Sequence, residues 1–409
     1  GTVEAAINPV VATIFSKEKT KWLNILHAGW PAGLALGGIL AILMGPEVSW
    51  KWKVALVLIP VVVYGVMLYG REFPIQERVQ AGVSFKDMLS EAGAVGFFLI
   101  FYTILLEINR VAGLTPLVES NFLSLPHVSL TLLLILVSAG YYIYTKSLGR
   151  PLFILLLLIM IPLATTELGT DSWITDLMVP FLGYNAGWVV VYTAMIMVIL
   201  RFYAGPIVHR TSPLGLLAIS SAIALVGLII LSTATGFMIF IAATIYGLGK
   251  TFFWPTMLGV AGERFPRGGA LTLNAITGVG MLAAGVFGTA FLGNIQDKQI
   301  DSQLQKQNPA IHAQVMGQQQ TSVFGKYNPL DQEKVSDLSS SDQAIIAEVQ
   351  TASKKGALST VAVFPGIMLI CYLGMIGYFR SRGGYKAIDL SEDNSSTPQK
   401  DISTEVDKT

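Results

Sequence analysis

Three ionisable side chains, Glu4, Glu167 and Lys250, stand inside long apolar stretches of this 409-residue chain. A charge near the middle of a bilayer costs at least about 2.5 kcal/mol, so each should face a partner or a water-filled cavity. A carboxylate in such a cavity holds its proton more tightly, and a nearby ammonium releases it again. A facing Glu4–Lys250 pair could therefore take up and release a proton as a solute passes, or it could be a static ion pair that locks two helices. Glu167 and Asp171 share one helix face at i and i+4, with Trp173 beside them. Such a set suits a polyhydroxylated or cationic solute, through hydrogen bonds and stacking. The other reading of Asp171 and Trp173 is the outer water interface and its aromatic belt. Asn8, Asn24 and Asn274 add hydrogen-bonding groups within apolar helices. His27, one turn inward from Lys21, is a buried hydrogen-bonded ring or a proton relay. Phe252, Phe253 and Trp254, next to Lys250, could stack on a sugar ring or simply pack. Glu107 and Arg110, at i and i+3, read as a local ion pair near a helix end.

The elements that must hold these groups are membrane spans. Mean hydropathy is +0.60, 53% of residues are hydrophobic and only 13% are charged, about half the charged share of a soluble domain. The net charge of +1 gives no reason to expect a nucleic-acid partner. Cys371 is the single cysteine, which excludes an internal disulfide framework, and no metal-ligand spacing or cofactor motif is present. Apolar runs able to cross a ~30 Å core follow a partial first span at residues 1–15. They are Trp22–Met44, Val54–Gly70, Gly93–Ala112, Val128–Tyr144, Leu152–Met178, Ala186–Leu200, Leu214–Ser232, Phe237–Gly259, Leu271–Gly293 and Ala357–Phe379. The expected fold is all-α and polytopic, with about eleven spans, the first entered part-way.

Lysine and arginine fall on alternate connections. If Lys17–Lys21 is cytoplasmic, the same side receives Arg71, Arg78, Lys86, Lys146, Arg150, Arg201, Arg210, Arg264, Arg267, Arg380, Arg382 and Lys386. The short loops opposite hold only Lys51 and Lys53. That places the C-terminus in the cytoplasm and predicts an integral protein of the plasma (inner) membrane. Residues 296–355 read as a polar external loop, a solvated insertion with one surface helix at Asp342–Lys355; 381–409 read as a disordered tail.

The chain also resembles itself. Glu4 and Lys250 each lie five positions before a proline, Pro9 and Pro255. Each copy continues through a basic turn into a helix opened by Asn24 or Asn274 and followed by small residues, Gly29, Gly33 and Gly37 or Gly280, Ala284 and Gly288. Such faces let helices approach closely in lipid. At ~1.5 Å per residue, Glu4 (from Lys17) and Lys250 (from Arg264) both lie about 20 Å from the basic end, and Glu167 (from Arg150) about 25 Å. Duplicated halves with charges in one layer are the plan of secondary transporters.

At these residues the chain resembles the major facilitator superfamily, and within it the fucose/glucose–proton symporter type, whose fourth helix carries a Glu followed by Asn-Pro, like Glu4…Asn8-Pro9. Arg201–Arg210 resembles the superfamily's loop motif Gly-x-x-x-Asp-Arg at Gly205 and Arg210 but has His209 where Asp is expected. Glu167–Trp173 looks like the seventh family helix. The resemblance implies a bundle of pseudo-two-fold halves: residues 1–70 would be family helices four to six, so three would precede Gly1. Residues 71–91 would be a cytoplasmic linker, 92–150 an inserted hairpin, and 151–380 helices seven to twelve. It also implies a non-enzymatic, monomeric, alternating-access carrier of a small polar solute such as a sugar, coupled to protons. Glu4 would carry the proton against Lys250, while Asn8, Asn24, His27, Glu167, Asp171, Trp173, Trp254 and Asn274 would line the solute path. The alternatives are a facilitator or drug-type exporter on the same fold, or a multi-span enzyme or receptor; against the last, no catalytic constellation is visible.

Overall fold

The computed structural model describes residues 2–112, 125–182, 186–322 and 324–390; the side chains of Arg110 and Asp171 lie outside the described set. The chain is almost wholly helical. The first part comprises α1 (Thr2–Ile14), α2 (Lys19–His27), α3 (Gly29–Met44), α4 (Trp50–Ala55), α5 (Leu58–Leu68) and the short α6 (Glu77–Gln80). A long hairpin follows, α7 (Phe85–Ala112) and α8 (Leu125–Thr145). Then come α9 (Pro151–Gly169), α10 (Asp171–Leu182), α11 (Gly187–Phe202), α12 (Ala204–Thr211), α13 (Pro213–Thr233), α14 (Phe237–Lys250), α15 (Phe253–Arg264) and α16 (Gly269–Ala283). A π-helical turn at Ala284–Thr289 leads into α17 (Ala290–Gln307). After α18 (Pro309–Val315), strands β1 (Gln320–Ser322) and β2 (Gly325–Tyr327), and α19 (Gln332–Ser336), the chain returns through α20 (Ser340–Val361) and α21 (Val363–Arg380).

Among the described residues, eight helical stretches are long and apolar enough to cross a membrane. A ninth is formed if α11 and α12, bent by 65°, count as one span. Thr2–Ile14 and Leu130–Thr145 are shorter apolar helices. These fall on the eleven runs read from the sequence. The main core lies among α9, α13, α14, α15, α16 and α21, and α4 and α5 bury no residue.

The internal repeat has a spatial counterpart. The first helix of one copy, α1, packs on the second helix of the other, α16; the second helix of the first copy, α2, packs on α15. Reciprocal contact of this kind is the mark of a two-fold arrangement. The α2–α15 seam is close because residue 259 is glycine: a Cβ there would stand 2.7 Å from the Thr20 Cα. The hairpin is closed at its base in a similar way. Gly93 (φ 61°) and Gly149 (φ 103°) cross backbone to backbone, and Ala94 and Val95 donate to the Ser147 and Leu148 carbonyls. Only glycine adopts such φ values without strain.

Two readings of the sequence are corrected. Residues 296–355 are not a merely solvated insertion with one helix. They fold into α17 to α20 and a small antiparallel ribbon around a core of Ile300, Leu304, Ile311, Val315, Ile346 and Val349. The spaced apolar residues in a Gln-rich sequence suffice for a small core when two long helices, α17 and α20, flank them. The tail is also ordered in part. Tyr385 donates to Glu263 Oε2 (2.8 Å), the Ile388 amide donates to the Glu263 carbonyl (2.8 Å), and Leu390 is buried. Burial beside the Glu263 carboxylate pushes the Tyr385 phenol well above its usual range. Residues 391–409 lie outside the described set.

Candidate functional site

Most of the sequence candidates converge where helices break. The turn Thr251-Phe252 separates α14 from α15, Ala28 separates α2 from α3, and Thr170 separates α9 from α10. A broken helix leaves carbonyls unpaired on one side and amides unpaired on the other. Arg201 and Glu167 occupy these groups. Arg201, 1% exposed, donates from Nε to the Thr251 carbonyl (2.7 Å) and from one terminal nitrogen to the His27 carbonyl (2.8 Å). Its other terminal nitrogen donates to Glu167 Oε1 (2.8 Å). Glu167, 2% exposed, accepts at Oε2 from the Trp254 amide (2.9 Å), in the first turn of α15. The carboxylate thus sits at a helix N-terminus and the guanidinium at helix C-termini, which is the favourable polarity at both ends.

Lys250, 1% exposed, closes α14; its charge acts on Glu167, and its ammonium lies 5.5 Å from the Tyr246 ring centre. The Tyr246 hydroxyl joins α14 to α9 through the Thr166 carbonyl and Thr170 Oγ1 (2.7 Å to the latter).

A second layer faces it. Glu4 Oε1 accepts from the Trp254 indole Nε1 (2.8 Å) and lies 3.9 Å from His27 Nε2. His27 Nε2 is also 3.1 Å from Asn8 Oδ1, an acceptor, so the ring nitrogen carries the proton in this contact. Glu4 keeps 22% of its side chain exposed, unlike Glu167. Trp254 therefore joins both layers, through its indole to Glu4 and its backbone to Glu167. Gly280 leaves room for that indole, since a Cβ there would come 2.8 Å from the ring.

The arrangement differs from the expected direct Glu4–Lys250 pair. Glu4 binds Trp254 and approaches His27, while Lys250 acts on Glu167. Charge counting places Arg201 with the cytoplasmic loops, whereas it is the hub of the cluster. The signal lay in span length. Ala186–Leu200 has 15 residues, about 22 Å at ~1.5 Å each, too short to clear a ~30 Å core. Its end therefore stops inside, with Arg201 attached.

Other candidates lie elsewhere. Asn24 is buried in the α2–α15 seam and donates to the Thr20 carbonyl (2.8 Å) and Thr256 Oγ1 (3.2 Å). Asn274 is half-buried on α16, and its Oδ1 has no hydrogen-bond partner. Trp173 packs into the main apolar core. The Asp171 side chain and that of Arg110 lie outside the described residues; Glu107 lies against Gly285 in the π-helical turn. In the loop motif, Gly205 receives the methylenes of Lys21 and Arg210 is exposed. His209, standing in the acidic position, contacts Glu18 (3.2 Å), which also binds Lys21 (2.8 Å). The Lys21 hydrogen bond holds the Glu18 carboxyl below its ordinary range.

At the basic end the two halves are shut. Beyond the Gly259 approach, Glu263 Oε1 accepts from the Thr20 amide (3.2 Å) and hydroxyl (2.5 Å). Lys19 bridges the Gly262 carbonyl (3.2 Å) and Glu77 (2.6 Å). Helix breaks filled by buried charge inside a bundle of apolar helices belong to a polytopic membrane protein, since irregular backbone at this depth is tolerated where it is buried in protein or lines a water-filled cavity.

Residues 1–289 match the family model of the Major Facilitator Superfamily, and the chain belongs to that family of membrane transporters. No curated protein matches the chain.

Proposed function

We propose that this carrier is a proton-coupled symporter for a small polar solute of the sugar class. The observation that carries the reading is the two-layer cluster joined by Trp254: a fully buried Glu167–Arg201 pair and a partly exposed Glu4 bound across the halves. Glu167 and Arg201 have their hydrogen bonds filled and act as the fixed anchor, with Lys250 adding positive charge. Glu4 is the group with access to a proton. Hydrogen bonds to an ionised acceptor are roughly twice as strong as neutral ones. A proton on Glu4 weakens the Trp254 indole bond and loosens α1 from α15, and solute hydroxyls then compete for Glu4, Asn8, His27 and the indole. The shut α2–α15 seam is one end state of the alternating cycle, and rocking of the halves opens it.

Glu4→Gln in proteoliposomes tests the coupling. The variant should lose uphill accumulation driven by a pH gradient and retain counterflow exchange. Unchanged accumulation removes Glu4 from the coupling role. A solute panel of neutral hexoses against cationic and lipophilic compounds, with internal pH followed by dye, separates symport from facilitation and drug export.

A further inference from the structure

A cavity lies away from the charged cluster. It lies at the basic end, between the start of α9, the α15–α16 turn, the end of α21 and the tail at Ile388. Its volume of about 700 Å³ is that of a ligand site. One wall is apolar, formed by Leu152, Leu155, Cys371 and Met375, and the charged lining is Arg150, Arg264 and Arg267 with one carboxylate, Glu91. Two of these cations have acids near them: Arg150 lies 3.4 Å from Glu91 and Arg267 lies 3.8 Å from Asp87. Arg264 contacts a carbonyl and a ring instead of a carboxylate. It donates to the Lys386 carbonyl (2.5 Å), its guanidinium lies 4.8 Å from the Phe379 ring centre, and its Nε has no acceptor. The guanidinium is therefore held in place with its charge unmet by a carboxylate, while its Nε is buried away from the cavity.

We propose that this cavity binds an anionic phospholipid of the leaflet on the basic side, phosphate against Arg264 and Arg267 and one acyl chain along the apolar wall. Three features select this class over a soluble anion. The lining pairs cations with an apolar wall, which matches an amphiphile. Arg150 immediately precedes a membrane helix and Arg264 and Arg267 flank the α15–α16 turn, which is headgroup level. Basic pockets between membrane helices on the cytoplasmic side are a known mode of anionic headgroup recognition. The site also touches the tail. Ile388 lines it and Lys386 binds Arg264, while the same strand of tail binds Glu263 of the shut seam. Occupancy would brace that end of the bundle.

The test uses the whole purified chain in a neutral detergent, with dioleoylphosphatidylglycerol, dioleoylphosphatidylcholine or inorganic phosphate added, read by native mass spectrometry and thermal unfolding. Phosphatidylglycerol should bind at least about tenfold more tightly than phosphatidylcholine and raise the unfolding midpoint, a difference of ~1.4 kcal/mol. Arg264→Gln should remove that preference. Gly374 lines the cavity and a Cβ added there meets nothing within 4 Å, so Gly374→Phe fills the space without altering charge. It should abolish binding while leaving the lipid-free midpoint in place. Equal binding of the two lipids, or retained preference in Gly374→Phe, overturns the proposal. Binding of inorganic phosphate that competes with the lipid overturns it in favour of a soluble-anion site.

Discussion

Replacing Arg201 by Met should destabilise the protein by roughly 3 kcal/mol or more, and part of that loss should return when Glu167 is replaced as well. Met matches much of the aliphatic stem and supplies no donor. The change removes three hydrogen bonds, to Thr251, His27 and Glu167. Breaking a buried ion pair by removing one partner costs about 3–5 kcal/mol, because a bare charge is left behind. Here the low end applies, since Glu167 keeps the Trp254 amide and the charge of Lys250. In Arg201→Met/Glu167→Met the bare carboxylate is gone, and replacing a whole buried pair with apolar groups is often close to neutral. The two orphaned carbonyls remain in both variants and set a floor of about 1–3 kcal/mol each, reduced where water enters. Denaturant titration of both variants and of wild type in one detergent gives the cycle. The signature is a double variant more stable than the Arg201→Met single, with transport absent from both. If Arg201→Met stays within about 1 kcal/mol of wild type, or if the double is worse than the single by the full additive sum, the buried-hub reasoning fails.

Three further expectations can be checked alongside. Gly259→Ala puts a methyl 2.7 Å from the Thr20 Cα and 2.2 Å from its hydroxyl, so the seam should open; a cysteine at Ala12 in a Cys371→Ser background should label faster with a maleimide, and an unchanged rate argues against the seam as a gate. The Glu18–Lys21 contact should fade with acid: the Glu18 carboxyl is depressed in the folded state, so its contribution is present at neutral pH and is lost as pH falls through that lowered pKa. Leu304→Ala empties part of the small core around Ile300 and Val315, which costs about 2–5 kcal/mol for a buried Leu; limited proteolysis should then cut within 309–338 while the unfolding of the membrane bundle stays in place.

The bundle was legible because membrane spans announce themselves by length and hydropathy, and the repeat because Glu4…Pro9 and Lys250…Pro255 keep their spacing. Depth, which is one-dimensional arithmetic, puts Glu4, Glu167 and Lys250 in one layer and does not bring Asn8, His27 and Trp254 to them. Their partners did not follow. Depth says nothing of azimuth, so the pairing of Glu4 with the Trp254 indole and of Glu167 with Arg201 needed the tertiary arrangement. Arg201 was hidden for a different reason. Charge counting assigns every arginine near a helix end to a loop, and only the shortness of Ala186–Leu200 marks this one as internal. The fold at 296–355 was missed because hydropathy windows average away six apolar residues spaced among Gln and Ser.

The double role of Trp254 makes one substitution especially informative. Trp254→Phe keeps an aromatic ring and the backbone amide that holds Glu167, but it removes the indole donor to Glu4 and the benzo edge that fills the space beside Gly280. A hydrogen bond to a charged group contributes about 1.5–3 kcal/mol when buried. Glu4 retains 22% exposure, so water replaces part of what is lost, and with the space opened beside Gly280 stability should fall by about 1–3 kcal/mol. Arg201→Met, in contrast, breaks the anchor itself. If the indole bond is the link through which Glu4 senses the opposite half, Trp254→Phe should still fold yet leak, with solute exchanging freely while the accumulation ratio at a fixed pH gradient drops. A variant that keeps the wild-type accumulation ratio would show that α1 and α15 are coupled through packing alone, and the coupling role would then have to be sought at His27 and Asn8 instead.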